Sequence, residues 1–182
     1  MVCNFVLLNP RNRENLATVM RSGQNFSVSS VIVIGGFIAD KYKGNIHKFT
    51  HQMDTQDGMS NLTVLYFATL EDFLKHLPAK TTLVVVEMEE QAKYLESYQH
   101  PENATYIFGP ELKGFSQNEL NSIKQHFAEL HKDIPAEHLA GNKHTAHLDF
   151  VKIAMDNSLN VGVCSSIVMY DRHVKSFKHD RL

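Results

Sequence analysis

TTLVVVEM, residues 81–88, is the stretch on which the fold turns. Leu83, Val84, Val85 and Val86 follow one another without the alternation of a strand that has one wet face. Such a run suits a strand covered on both faces, and doubly covered strands belong to parallel sheets with helices above and below. Similar short, β-branched runs recur at NFVLLN (4–9), SVIVIGG (30–36), NLTVLYFA (61–68), ATYIFGP (104–110) and DFVKIAM (149–155). Helical patterns lie between them, near 15–26, 70–77, 89–97, 116–130 and 158–172. The alternation predicts an α/β domain with a mainly parallel sheet flanked by helices. Ligands of such sheets bind beyond the carboxyl ends of the strands. Three of those ends carry unusual residues: Asn9-Pro10, Gly109-Pro110-Glu111 and Ile153-Ala154-Met155.

The bulk properties agree with one domain spanning 1–182. With 43% hydrophobic and 21% charged residues the chain is neither disordered nor fibrous in composition. The formal charge of −2 does not announce a nucleic-acid binder, although basic residues gather at Arg11–Arg13, Lys41–His51 and in the tail RHVKSFKHDR. Cys3 and Cys164 have no CxxC partner, so neither disulfides nor a cysteine zinc site is indicated. No apolar run reaches the roughly 18 residues of a membrane span. The N-terminus MVCNFVLLNPRN lacks a signal-peptide pattern, and a cytoplasmic protein is expected. Two segments, 37–60 and the His-rich 131–148, are longer than ordinary connections and read as functional loops.

Glycine motifs for nucleotide phosphates are missing; Gly35-Gly36 is only a pair. His138, His144, His147 and Asp149 match no metal-ligand spacing, and no metal is expected. VGVCSS (161–166) resembles a nucleophile elbow around Cys164. Yet Leu159, Val163, Ile167 and Tyr170 mark a helix running through it, which makes Cys164 a buried structural residue. In NRENLATVMRSGQNFSV (12–28), Leu16, Val19, Met20, Gly23 and Phe26 form one buried helical stripe. Arg21 projects nearly opposite it, six residues after Asn15, which sits near the helix cap. Ser116 and Glu119 form a capping box after PELKG (110–114). Asn157 or Ser158 serves as the cap of the last helix, leaving Asn160 in its first turn.

These pieces, in this order, carry a resemblance. NPRNREN-LATVMR-SGQNF, YIFGPELKGFS and IAMDNSLNVGVCSSIVMYD resemble the three successive motifs of the SpoU/TrmH family of SPOUT-superfamily RNA methyltransferases. Asn15, Arg21 and Ser22 match the first motif, Gly109, Glu111, Gly114 and Ser116 the second, and Ile153, Met155, Ser158, Leu159, Asn160 and Val161 the third. The third motif carries Ala154 in place of the family's Pro, and only Asp156-Asn157 separate Met155 from Ser158. The resemblance implies a C-terminal deep trefoil knot, a homodimer, S-adenosylmethionine (SAM) as methyl donor and methylation of a ribose 2′-hydroxyl of tRNA or rRNA. It also implies site residues. Asn15, Arg21, Glu111, Ser158 and Asn160 would act on the substrate. Val86, Glu87, Gly109, Glu111, Gly114, Ile153, Met155, Ser158 and Leu159 would hold SAM. RNA-contact candidates are Arg11, Arg13, Lys41, Lys43 and Lys48, with Arg172, Lys175 and Lys178 in the tail. A catalytically silent RNA-binding dimer, a base-methylating SPOUT enzyme and a cysteine hydrolase using Cys164 are the alternatives.

Overall fold

The computed structural model describes residues 2–41, 62–139 and 145–179. Its seven strands are β1 (Cys3–Leu8), β2 (Ser30–Ile34), β3 (Thr63–Phe67), β4 (Thr82–Val86), β5 (Lys93–Tyr94), β6 (Ala104–Phe108) and β7 (His147–Lys152). They form one sheet in the order β3-β2-β1-β6-β4-β7-β5, and all its pairings are parallel. The helices are α1 (Arg13–Asn25), α2 (Gly36–Lys41), α3 (Leu70–Lys75), α4 (Gln117–His131), α5 (Ala136–Leu139) and α6 (Val161–His179). Every residue of β4 is buried, as its unbroken apolar run requires.

Successive side chains of each strand point to opposite faces, and each face has its own core. Phe5, Leu7, Val84 and Phe108 pack on one face under Leu16, Val19 and Met20 of α1 and Val168 and Met169 of α6. Val6, Leu8, Val85 and Ile107 pack on the other under Phe73 of α3 and Leu120, Ile123 and Phe127 of α4. Since β1, β6, β4 and β7 are neighbours in the sheet, the segments that leave their carboxyl ends lie side by side. No helix among the described residues is long and apolar enough to cross a membrane.

Several expectations are corrected. Residues 89–97 are not an α-helix but the short strand β5 followed by a 3-10 turn, Leu95–Ser97. Lys93 and Tyr94 complete the open edge of β7, pairing with Val151 and Lys152. Ala92, Leu95 and Tyr98 are buried at a spacing of three, which resembled one helix face. The cap of α1 is Asn12, whose Oδ1 accepts from the Glu14 N–H at 2.9 Å; Asn15 lies inside the helix and is buried. All of α2 after its first residue falls within the connection expected at 37–60, and α5 within 131–148. Lys43, Lys48, His144 and the Lys178 side chain lie outside the described residues.

Two tail cations are structural rather than exposed. Arg172 is buried, and its guanidinium donates to the carbonyls of Pro101 (2.6 Å) and Glu102 (2.9 Å) and to the Tyr106 hydroxyl (3.2 Å). Lys175 donates to the Leu95 and Tyr98 carbonyls and to Asp171. His100 sits between the Tyr106 hydroxyl (2.6 Å) and Asp171 (2.8 Å). The network assigns a neutral ring: Tyr106 O–H donates to Nδ1, and Nε2–H donates to Asp171. Burial holds the His100 pKa below its ordinary value, against the pull of Asp171. Together these bonds strap α6 to the segment that joins β4 to β6.

Arg172→Met leaves two part-buried hydrogen bonds to carbonyls and one to a buried hydroxyl unmade, so it is expected to lower stability by about 2–3 kcal/mol in urea unfolding. A neutral His100 binds fewer protons folded than unfolded below its ordinary pKa of 6.5. Stability therefore falls as pH drops through that value, and the slope should flatten in His100→Gln when midpoints are compared between pH 7.5 and 5.5.

Candidate active site

The first element of the site is an interhelical bridge built from two asparagines. Asn160 stands immediately before α6, and its Oδ1 accepts from the N–H groups of Gly162 (2.9 Å) and Val163 (3.3 Å). It is therefore the cap of α6, not Asn157 or Ser158 as the sequence suggested. The other half of the same amide, Nδ2, donates to Asn15 Oδ1 at 2.8 Å. Glycine at position 162 eases the approach of the α1 and α6 backbones here. A Cβ there would lie 3.1 Å from the Thr18 Cβ. One turn further along, the hydroxyls of Ser22 and Ser166 meet at 2.8 Å.

The second element is the 109–114 turn after β6. Gly109 admits no side chain: a Cβ would sit 2.6 Å from the Phe115 nitrogen and 2.7 Å from the Gly114 carbonyl carbon. Gly114 takes φ +64°, and a Cβ there would meet Glu87 Oε2 at 2.6 Å. Glu87, just beyond β4, accepts from the N–H groups of Phe115 (3.0 Å) and Met88 (2.9 Å). Glu111 accepts from the Asn12 N–H at 3.2 Å, which ties the turn to the start of α1. The two glycines and two carboxylates thus fix a backbone cradle against the ends of β4 and α1.

Between the cradle and the segment after β7 lies a cavity of about 520 Å³. All nine residues expected around a cofactor line it: Val86, Glu87, Gly109, Glu111, Gly114, Ile153, Met155, Ser158 and Leu159. Asn15 and Asn160 line it too, so four of the five expected substrate-side residues, with Glu111 and Ser158, meet there. Arg21 does not line it and is exposed on α1. Arg13 and Lys41 line neither this cavity nor the one beside it, whereas Arg11 lines the latter. Sequence reasoning missed Asn12, Met88, Phe108 and Lys152 in the wall. Asn12 had a readable signal, an Asn directly before a helical pattern with an acidic residue, Glu14, in its first turn.

Chemically the cavity has two sides. Ile153, Met155, Leu159 and Val161 offer an apolar wall, and the cradle offers backbone groups and two carboxylates. Its size suits a single small molecule with an apolar ring and polar substituents. Cys164 reaches the wall from α6, but its thiol is pushed up to about 12, first by burial and then by the charge of Glu87. A thiol so held supplies almost no thiolate near neutrality. Asp149 is engaged by Lys93 and Tyr98, each at 2.9 Å, and among the described residues no three His, Cys, Asp or Glu side chains converge as metal ligands.

Comparison with known proteins adds a family. The model of the SpoU rRNA Methylase family matches residues 3–131. No curated protein sequence matches the chain. A solved structure described through the 2-OH methylation of C/U34 on tRNA superposes with a TM-score of 0.67 at 19% identity, covering 97% of both chains. The SpoU methyltransferase AviRb from Streptomyces viridochromogenes gives 0.66 at 14% identity, covering 98% of this chain and 61% of AviRb. An AdoMet-bound rRNA methyltransferase from Sinorhizobium meliloti gives 0.59 at 13% identity, covering 100% of this chain and 57% of that one. At these identities the likeness is one of fold.

Asn15→Ala removes the acceptor of a part-buried bond and is expected to lower stability by about 1–2 kcal/mol in urea. Asn160→Ala should cost more, because the α6 cap disappears with the bridge. Effects below about 0.5 kcal/mol, the range of ordinary surface substitutions, would contradict the bridge.

Proposed function

We propose that this chain, which belongs to the SpoU rRNA Methylase family, is a SAM-dependent methyltransferase acting on a ribose 2′-hydroxyl of tRNA or rRNA. One observation carries the reading. Residues from three sequence motifs, spread along the chain from Asn15 to Val161, line a single cavity at the carboxyl edge of a parallel sheet. The cavity fits the cofactor. Val86, Ile153, Met155 and Leu159 would enclose its adenosine, and the 109–114 turn would line its other side. When bound, SAM supplies a methyl group on a sulfonium, open to attack by an oxygen nucleophile.

The protein's own work is to bring a weakly acidic hydroxyl into line and to stabilise charge as its proton leaves. Arg21 as a neutral base is energetically poor. Deprotonating an arginine of pKa about 12.5 at pH 7 costs roughly 7.5 kcal/mol, at about 1.36 kcal/mol per unit. As a charged bidentate clamp on an RNA phosphate it needs no deprotonation. The proton then goes to a phosphate oxygen or water. Ser158 and Glu111 stand in the cavity wall where a ribose would enter, and Asn15 and Asn160 hold the two helices that frame it.

Arg21 lies outside its own chain's cavity, so the reading includes a homodimer in which each site borrows Arg21 from the partner copy. Supporting this, Leu159, Val163, Ile167 and Tyr170 form an exposed apolar stripe on and before α6. The stripe starts at the cavity, whose wall includes Leu159. A threaded, knotted C-terminus belongs to the same reading. Arg172 and Lys175 of α6 bind the carbonyls of Pro101, Glu102 and Leu95, which fastens that helix to the segment between β4 and β6.

The test is complementation. Arg21→Ala and Gly109→Ala, one removing the clamp and the other closing the cradle, should each abolish methyl transfer from tritiated SAM to tRNA or rRNA. Mixed and re-equilibrated, they should recover up to about a quarter of wild-type activity, because half the dimers are mixed and each has one intact site. No recovery would contradict the shared site, and no calorimetric binding at millimolar SAM would contradict the enzyme. Arg21→Lys should stay far below wild type, since a point charge does not reproduce the fork. Cys164→Ser should retain transfer.

A further inference from the structure

Across the 109–114 turn from the first cavity lies a second hollow of about 830 Å³. The two share that turn as a common wall. The far side of the hollow comes from Asn9 and Arg11 after β1 and from Gly36 and Phe37 after β2. Here the Gly35-Gly36 pair finds a reason. Gly36 takes φ +85°, and a Cβ there would lie 2.8 Å from the Asn9 Cα and 2.9 Å from its carbonyl carbon. The glycine lets β2's exit rest on the loop after β1, so that the next side chain, Phe37, stands at the hollow. Phe37 is 63% exposed, and Leu112, at the tip of the shared turn with φ +76°, is 94% exposed. Two large apolar side chains thus stand exposed in the lining of one hollow and offer an occupant an apolar contact.

The charges around them say which kind. Two carboxylates also line the wall, Glu111 held by the Asn12 N–H and Glu119 by the Ser116 N–H and hydroxyl in the α4 capping box. Arg11 and Lys113 are exposed and have no ion-pair partner among the described residues. Lys41 approaches the Phe37 ring at 5.9 Å. An aromatic face with the cations Arg11 and Lys113 in the same lining suits a planar base carrying a phosphate.

We infer that this hollow binds one unpaired nucleotide of the RNA, adjacent to the one presented to the first cavity. Its base lies against Phe37 and Leu112, and its phosphate lies on Arg11 and Lys113. The inference rests on the RNA methyltransferase reading and sharpens it: a base inside a duplex has no free face to offer Phe37, so the substrate is methylated in a single-stranded region.

The test uses fluorescein-labelled octauridylate RNA, single-stranded or annealed to its complement, in anisotropy titrations between 50 and 200 mM salt. Phe37→Ala should weaken single-strand binding about tenfold at every salt concentration, as loss of one stacked base predicts. Phe37→Tyr should restore the affinity and Phe37→Leu should not. Arg11→Ala and Lys113→Ala should each lower the slope of log affinity against log salt by about 0.7. Wild type should prefer the single strand to the duplex. SAM affinity, whose cavity neither Phe37 nor Arg11 lines, reports that those variants are folded, and the urea midpoint reports it for Lys113→Ala. Full affinity in Phe37→Leu would overturn stacking. A changed sedimentation mass in Phe37→Ala would assign the face to a second copy instead and overturn the inference too. If wild type methylates tRNA while Phe37→Ala keeps its KM for tRNA, the inference fails alone. If wild type methylates no RNA, the methyltransferase reading fails, whatever Phe37 does.

Discussion

The amide of Asn160 joins the two ends of this molecule. Its oxygen closes the N-terminus of α6, and its nitrogen holds Asn15 in α1, 145 residues earlier. A carboxylate or hydroxyl at 160 would still cap the helix but would offer Asn15 no amide donor. Gly162 eases the approach of the helices at the bridge, and the Ser22–Ser166 contact continues it along the interface. With α1 and α6 locked, the segment Met155–Asn160 faces the Gly109–Gly114 turn across the cavity. The site is therefore a consequence of helix packing as much as of loop sequence.

The sheet supplies the other half of the constraint. The adjacent strands β1, β6, β4 and β7 end on one edge, and each delivers one part of the site. From β1 come Asn12 and Asn15, from β4 Glu87, from β6 the glycine cradle, and from β7 the apolar wall. Glu87 and Glu111 accept backbone N–H groups from neighbouring segments, so carboxylates that look poised for chemistry also position the cradle. The bonds of Arg172, Lys175 and His100 act at a distance from the cavity. They hold α6, and therefore Asn160, in place.

Much of this was legible in the residues. Unbroken β-branched runs mark the buried strands because covering on both faces leaves no reason for alternation. The stripe Leu16, Val19, Met20 and the Ser116 capping box are local signals, and locality is what a sequence records best. The segment 89–97 misled because burial every three residues suits a helix face and a strand-plus-3-10 turn alike. Only the open edge of β7, distant in sequence, chooses between them. Arg172 and Lys175 looked like surface charges because nothing nearby in the chain announces the carbonyls of residues 95–102 that they bind. Asn15 looked like a cap because its partner lies at the far end of the chain. Residues of all three motifs line one cavity, and that Arg21 is not among them appears only in three dimensions.

The central claim is that this cavity delivers a methyl group to a ribose oxygen. The measurement that meets it most directly is the chemical position of tritium after wild-type protein, tritiated SAM and total tRNA and rRNA are incubated together and the RNA is hydrolysed in alkali. A methylated 2′-oxygen cannot attack the neighbouring phosphodiester, so the account predicts the label in alkali-resistant dinucleotides. Label released in single nucleotides as a methylated base, or no label in RNA at all, would contradict it.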